Sequence, residues 1–134
     1  MKLPDQDKLP EIEFTTQKLS DADYFLAEII YPVICYIERH KDAAPEVDDE
    51  DVPENLRRSE EDLAELEEYP GYIDTNYFDR WSYVVSTIKN AFHIINQVGN
   101  GTYFVEENMY NYDHIPEVKE GLRLFAKYYS NLWV

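Results

Sequence analysis

The sequence predicts an all-α protein, a small helical bundle of three to four helices with a long acidic loop and at most a minor two-stranded β element. Three stretches repeat apolar residues at the three- and four-residue steps of a helix face. Each of these carries a recognisable start or stop signal. The 134 residues, 44% of them apolar, suffice for one core, so residues 1–134 read as a single domain.

Near the start, EIEFTTQ alternates Ile12 and Phe14 with polar residues, the pattern of a short strand or an extended docking segment. Ser20, with an acid three residues on at Asp23, can satisfy free amides at a helix start, and a helix from Asp21 to Lys41 follows. Its expected buried row is Ala22, Leu26, Ile29, Val33, Cys35/Tyr36 and Ile37. Pro32 lies inside this helix and deletes one backbone bond at a cost of about 3 kcal/mol, which predicts a kink or a break.

From Asp42 the composition changes to APEVDDEDVPEN, with two prolines and only Val47 and Val52 to bury, so residues 42–58 read as an acidic linker or mobile loop. Ser59 to Asp62 repeats the capping pattern, and Leu63 and Leu66 give a short helix that docks weakly. Tyr69-Pro70-Gly71-Tyr72 reads as a turn, with glycine able to take a positive φ at its third position.

The next helix is marked by Phe78, Trp81, Val85, Ile88, Phe92 and Ile95, with Val84 and Ala91 widening the stripe. Asp74 or Thr75 is expected to cap it, and Val98-Gly99-Asn100-Gly101 to end it in a left-handed turn. Thr102 to Val105 is a candidate extended piece to pair with Ile12–Phe14. The last helix opens at Pro116 and runs through Val118, Leu122, Phe125, Tyr129 and Leu132. Gly121 interrupts it at a cost of roughly 1 kcal/mol relative to Ala, for which a close helix–helix approach is the expected reason.

Charge sets the function classes. The net charge of −16, from 28 acids against 12 Lys and Arg, opposes direct binding to nucleic acid or to an anionic membrane, and it favours a basic protein partner. Residues 42–68 hold thirteen of the acids against Arg57 and Arg58, so −11 of the −16 sits there. No apolar run reaches the roughly 20 residues of a membrane span, and MKLPDQDKLP lacks the apolar core of a secretion signal. A cytoplasmic protein is expected. The lone Cys35 excludes an internal disulfide and a cysteine-cluster metal site.

No cofactor motif is present, and His40, His93 and His114 lack a second ligand at metal spacing, so no cofactor, no metal and no catalytic residue are assigned. Asp113-His114 is the single candidate acid–base pair, and neighbours in sequence seldom aim at one point.

The segment Ala22 to Pro32 (ADYFLAEIIYP), the Trp81 to Ile95 helix and the ending Glu120 to Trp133 (EGLRLFAKYYSNLW) resemble a group of small bacteriophage-encoded helical proteins of unknown function. The resemblance implies a phage setting, within the cytoplasm of a host cell, and brings no activity or site residues with it.

Two binding modes follow. In the first, Asp48, Asp49, Glu50, Asp51, Glu60, Glu61, Asp62 and Glu65, with Tyr69, Tyr72 and Tyr77 beside them, contact a basic host or phage protein, as an anti-defence inhibitor would. If Ser59 to Glu68 is helical, its six acids lie along roughly 13 Å. That density approaches the one charge per about 1.7 Å of duplex DNA, which makes DNA mimicry physically sensible. A solvated, self-repelling loop would look the same. In the second mode, a nucleotide signal is trapped between Tyr103, Tyr110 and Tyr112 and the row Lys119, Arg123, Lys127. Twelve tyrosines also suit a homodimer seam.

Overall fold

The structure is a computed structural model that describes residues 11–103 and 112–134. It is all-α: α1 (Thr16–Ser20), α2 (Ala22–His40), α3 (Glu60–Glu68), α4 (Tyr77–Gly99) and α5 (Pro116–Lys127), with 3-10 turns at Asp49–Asp51, Glu54–Leu56 and Tyr129–Asn131. No strand occurs among the described residues. Phe14 instead sets its ring edge-on against Phe25 at 5.3 Å, and residues 104 and 105, its expected partners, lie outside the described residues.

The central element is α4, packed on one side by α2 and on the other by α5. Its inward row is fully buried, with Trp81, Val84, Val85 and Ile88 at 0–1% exposure. The row is the expected one except that Phe78, at its first turn, is exposed. The C-terminus of α4 closes as foreseen: Thr102 N–H donates to Gln97 O at 2.9 Å, Gly101 N–H to Val98 O at 3.2 Å, and Gly101 takes φ 80°. This double bond with a left-handed glycine satisfies carbonyls that the helix end leaves open.

At the other ends several expectations change. Ser20 does not cap α2, because its hydroxyl donates to Gln17 O at 2.6 Å inside the separate α1, which Thr15 caps. Helix α2 runs unbroken through Pro32. The carbonyl that proline leaves unbonded belongs to exposed Glu28, where solvent can meet it. Neither Asp74 nor Thr75 is the N-cap of α4: Asn76 holds that position, and the Asp74 carboxylate accepts from Asn76 N–H at 3.1 Å and from Arg80 at 2.8 Å. The Tyr69–Tyr72 turn closes with a 2.9 Å bond but without a positive φ at Gly71. The Ser59 capping box is made as expected, with Asp62 N–H donating to Ser59 Oγ at 3.1 Å and Ser59 N–H to Asp62 Oδ2 at 3.0 Å.

The face of α2 that meets the core coincides with the expected one at Ile37 and departs from it elsewhere. Ala27, Ile34 and Ile37 are buried, while Leu26 and Val33 stay 52% and 51% exposed. Both rows satisfy helical spacing, so periodicity could not choose between them.

Gly121 is where α4 and α5 touch. A Cβ there would lie 2.2 Å from Ala91 Cβ and 2.8 Å from Thr87 O, so the missing side chain is what lets the helices approach. Gly121→Ala is therefore expected to lower stability by about 1–3 kcal/mol despite its better helix propensity, as overpacking outweighs the propensity gain of about 1 kcal/mol. Thermal melting checks this, and Ala91→Gly in the same chain should recover part of the loss.

Candidate functional site

The acidic segment 42–58 is not a free linker. Val47 and Val52 are 1% and 4% exposed and join the hydrophobic core, with Ala44 and Leu56 packed against it. Four apolar residues spaced through seventeen positions suffice to lay the chain along the helices, provided the charges between them are met.

Asp51 shows how. It is 3% exposed. Its Oδ2 accepts from the Tyr128 hydroxyl at 2.6 Å and faces Lys127 Nζ at 2.6 Å, while Arg123 Nη2 lies 2.8 Å from Oδ1 as an ion pair without hydrogen-bond alignment. Burial pushes the Asp51 carboxyl up, but Lys127, Tyr128 and Arg123 together outweigh it and hold the group below the usual carboxylate range. Burial and Asp51 push the Tyr128 phenol up to about 12. The same hydroxyl accepts from Asp48 N–H at 3.1 Å, so one tyrosine fixes two points of the segment.

Asp48, Glu50 and Asp51 bring carboxylate oxygens close enough together to ligate one cation. The position is taken by the chain's own ammonium: Lys127 Nζ lies 2.8 Å from Asp48, 3.3 Å from Glu50 and 2.6 Å from Asp51. Asp48 and then Asp51 raise the pKa of Lys127.

Further along, Arg58 ties the segment to itself. Its backbone N–H donates to Asp49 Oδ1 at 3.0 Å, and its guanidinium reaches Asp49, Glu46 and the Val47 carbonyl at 3.2–3.3 Å. Arg80, 0% exposed, pairs with buried Asp74 through both carboxylate oxygens and donates to Leu56 O at 3.1 Å. The guanidinium holds Asp74 below its ordinary range. Tyr77 donates to Ala44 O at 2.9 Å.

The candidate residues thus divide. Asp51 is interior, Asp49 is half-buried against Arg58, and Asp62 is occupied by its cap and by the Tyr72 hydroxyl at 3.3 Å. Tyr77 and Tyr72 serve the fold rather than a surface. Asp48 and Glu50 are exposed but shared with Lys127. Glu60, Glu61 and Glu65, together with Tyr69, point to solvent from and beside α3, which buries none of its residues.

Among the described residues of the nucleotide-trap mode, Arg123 and Lys127 stand apart from Tyr112. Arg123 and Lys127 are engaged by Asp51, Tyr112 donates to Asp23 and meets the Tyr24 ring edge-on before α5 begins, and α5 rises about 18 Å between the two ends. Tyr103 packs against the core, Lys119 is exposed, and Tyr110 lies outside the described residues. Asp113 and His114 are both exposed.

Arg58, Arg80, Asp74 and Tyr128 were not foreseen as part of this site. The available signal was the isolation of Arg57-Arg58 among thirteen acids, which invites internal neutralisation, and the position of Arg80 four residues before Val84 on the flank of the apolar stripe.

No protein-family model, curated protein or solved structure matches the chain. No helix among the described residues is long and apolar enough to cross a membrane.

The Asp51 cluster should govern local opening. Asp51→Asn is expected to speed amide exchange at Val47 and Val52 roughly 10- to 100-fold relative to Val85 in α4, the loss of one charge-assisted contact set; hydrogen exchange by mass spectrometry or NMR reads it. The pH dependence has two signs. Asp51 and Asp74 have depressed folded pKa values, so their stabilisation is present above their unfolded values near about 4 and is lost as pH falls through the folded ones. Lys127 and Tyr128 are raised, so theirs is present below their unfolded values of about 10 to 10.4 and is lost as pH rises through the folded values. Melting temperature against pH should therefore be flat between about 5 and 9 and fall on both sides.

Proposed function

We propose that the protein is a non-enzymatic binding protein whose acidic segment, carried on a helical bundle, occludes a basic surface on a host protein. The observation that supports the reading most is the pinning of residues 46–58 to α4 and to the end of α5 through Asp51, Tyr128 and Arg80, with Arg58 bracing the segment from within, because charge held on a rigid frame binds without the ordering cost that a mobile loop would incur.

The contact surface is the part of the acidic stretch that the fold does not neutralise: Glu60, Glu61, Glu65, Glu67 and Glu68 on α3, with Glu54 before it and Tyr69 after it. Nine residues of α3 rise about 13 Å, so these carboxylates form a short dense row. Such a row suits a groove built for a nucleic-acid backbone, and Tyr69, 58% exposed, supplies an aromatic anchor at its end. An accessory or anti-defence setting in a host cytoplasm is part of this proposal, carried over from what the sequence resemblance implies.

The experiment is capture from bacterial lysate on immobilised protein, with the triple variant Glu60→Gln, Glu61→Gln, Glu65→Gln beside the wild type. The expected outcome is a basic protein retained by wild type, released between about 0.1 and 0.5 M salt, and lost at least tenfold by the variant. A bound protein indifferent to both salt and variant would refute the acidic row as the contact.

A further inference from the structure

Asp21, Tyr24, Phe25 and Glu28 fall at i, i+3, i+4 and i+7, so they form one strip along the start of α2, with a carboxylate at each end and two aromatic rings between. Glu28 is the one charged residue from Tyr24 to Ile37. The strip lines a cavity of about 580 Å³, bordered also by Lys18 of α1 and by Asn96 and Gly99 at the end of α4. Small-molecule sites occupy about 300–1,000 Å³. A Cβ on Gly99 would lie 2.7 Å from Tyr24 Cδ1, so the missing side chain is what lets that ring lie against α4.

The cavity offers acceptors and aromatic faces. Among the described residues, neither the Asp21 nor the Glu28 carboxylate has an ion pair or a hydrogen bond, although Lys18 borders the same cavity. Lys18 instead holds its ammonium 5.6 Å from the centre of the Phe25 ring, a contact in which the ring's negative face takes a cation. Asn96 Nδ2 donates to Ala27 O at 3.3 Å, which fixes the amide orientation, and Asn96 Oδ1 is buried without a hydrogen-bond partner.

We infer that this cavity binds a small aliphatic diamine or polyamine, with one ammonium at Glu28, another at Asp21 and the methylene chain across Tyr24 and Phe25. The inference is independent of the proposed partner at the acidic row. Spacing selects the ligand. Seven residues of helix rise about 10 Å, so the two carboxylates stand too far apart to share a metal ion or one lysine side chain. An extended chain gains about 1.3 Å per bond, so about six to nine bonds between nitrogens match that span. Charge selects the sign, since two unpaired carboxylates face one ammonium at the cavity and the net charge of −16 raises the local concentration of cations. An anion would meet Lys18 alone.

Isothermal titration of the full chain with spermidine in about 0.15 M salt should show one site with a dissociation constant below about 1 mM. Cadaverine should bind at least tenfold more tightly than pentylamine, the same chain with one ammonium. Glu28→Gln and Asp21→Asn should each weaken cadaverine at least tenfold, toward the level of pentylamine, with circular dichroism unchanged, because neither side chain has a partner to lose. Glu117→Gln, which removes the same charge from an exposed position on α5, should leave binding within about twofold. Lys18→Gln should tighten spermidine several-fold by removing the resident ammonium, whereas a site for anions would be lost with it. The inference is overturned by the absence of saturable binding, by cadaverine no tighter than pentylamine, by an equal loss in Glu28→Gln and Glu117→Gln, which marks diffuse attraction to an acidic chain, or by lost binding in Lys18→Gln.

Discussion

A carboxylate taken out of water must have its charge met by the protein, and Asp51 is met by Lys127, Arg123 and Tyr128, all from the C-terminal end of α5 or the residue after it. The rest of the acidic half is arranged around that contact. With Asp51 in place, Val47 and Val52 on either side reach the core, and the residues between them can follow only a tight path. Remove the cationic cluster and burying the two valines would drag an uncompensated charge with them, a cost of several kcal/mol that their apolar burial of about 1.5–3 kcal/mol each barely offsets.

This arrangement explains how a chain so acidic folds at all. Negative charge in one segment repels itself, and the structure places most of its well-positioned cations against that segment: Lys127 and Arg123 from α5, Arg80 from α4 and Arg58 from within. The neutralisation is selective. It falls on Asp48 to Asp51, next to the core, and leaves the carboxylates of α3 facing water, where repulsion is screened. Folding has sorted the acids into a structural group and an outward group, and the outward group is the one free to meet a partner.

How much of this was readable in advance differs by element. Helix α4 was legible almost residue by residue, because Trp81 to Ile95 offers one continuous apolar stripe and a glycine stop. In α2, by contrast, the expected row Ala22-Leu26-Ile29-Val33-Ile37 and the row Ala27-Ile34-Ile37 are both well spaced, and only the position of α4 decides which one is inside. Gly121 was read correctly, since a glycine within a helix needs a reason and helix contact is the commonest. The candidate site was read at the level of the segment but not of the residue: the run 46–68 is where the charges gather, yet Asp51 and Glu61 are indistinguishable in sequence while one is buried and the other is not.

Local chemistry, then, was settled by the chain itself: the body of α4, the Ser59 box, the Gly101 turn and the accumulation of acids depend on neighbours within a few residues, and those neighbours are written in order, whereas the last helix, expected to run through Tyr129 and Leu132, ends at Lys127 and gives way to a 3-10 turn. The fate of each charge was decided only in three dimensions. Asp51 and Lys127 are 76 positions apart, and a Coulombic contact between them exists because α4 holds α5 at the right distance from the acidic segment. Interactions that weaken within a few ångströms but join residues so distant in sequence leave no periodic trace, and the packed helices alone determine which of them form.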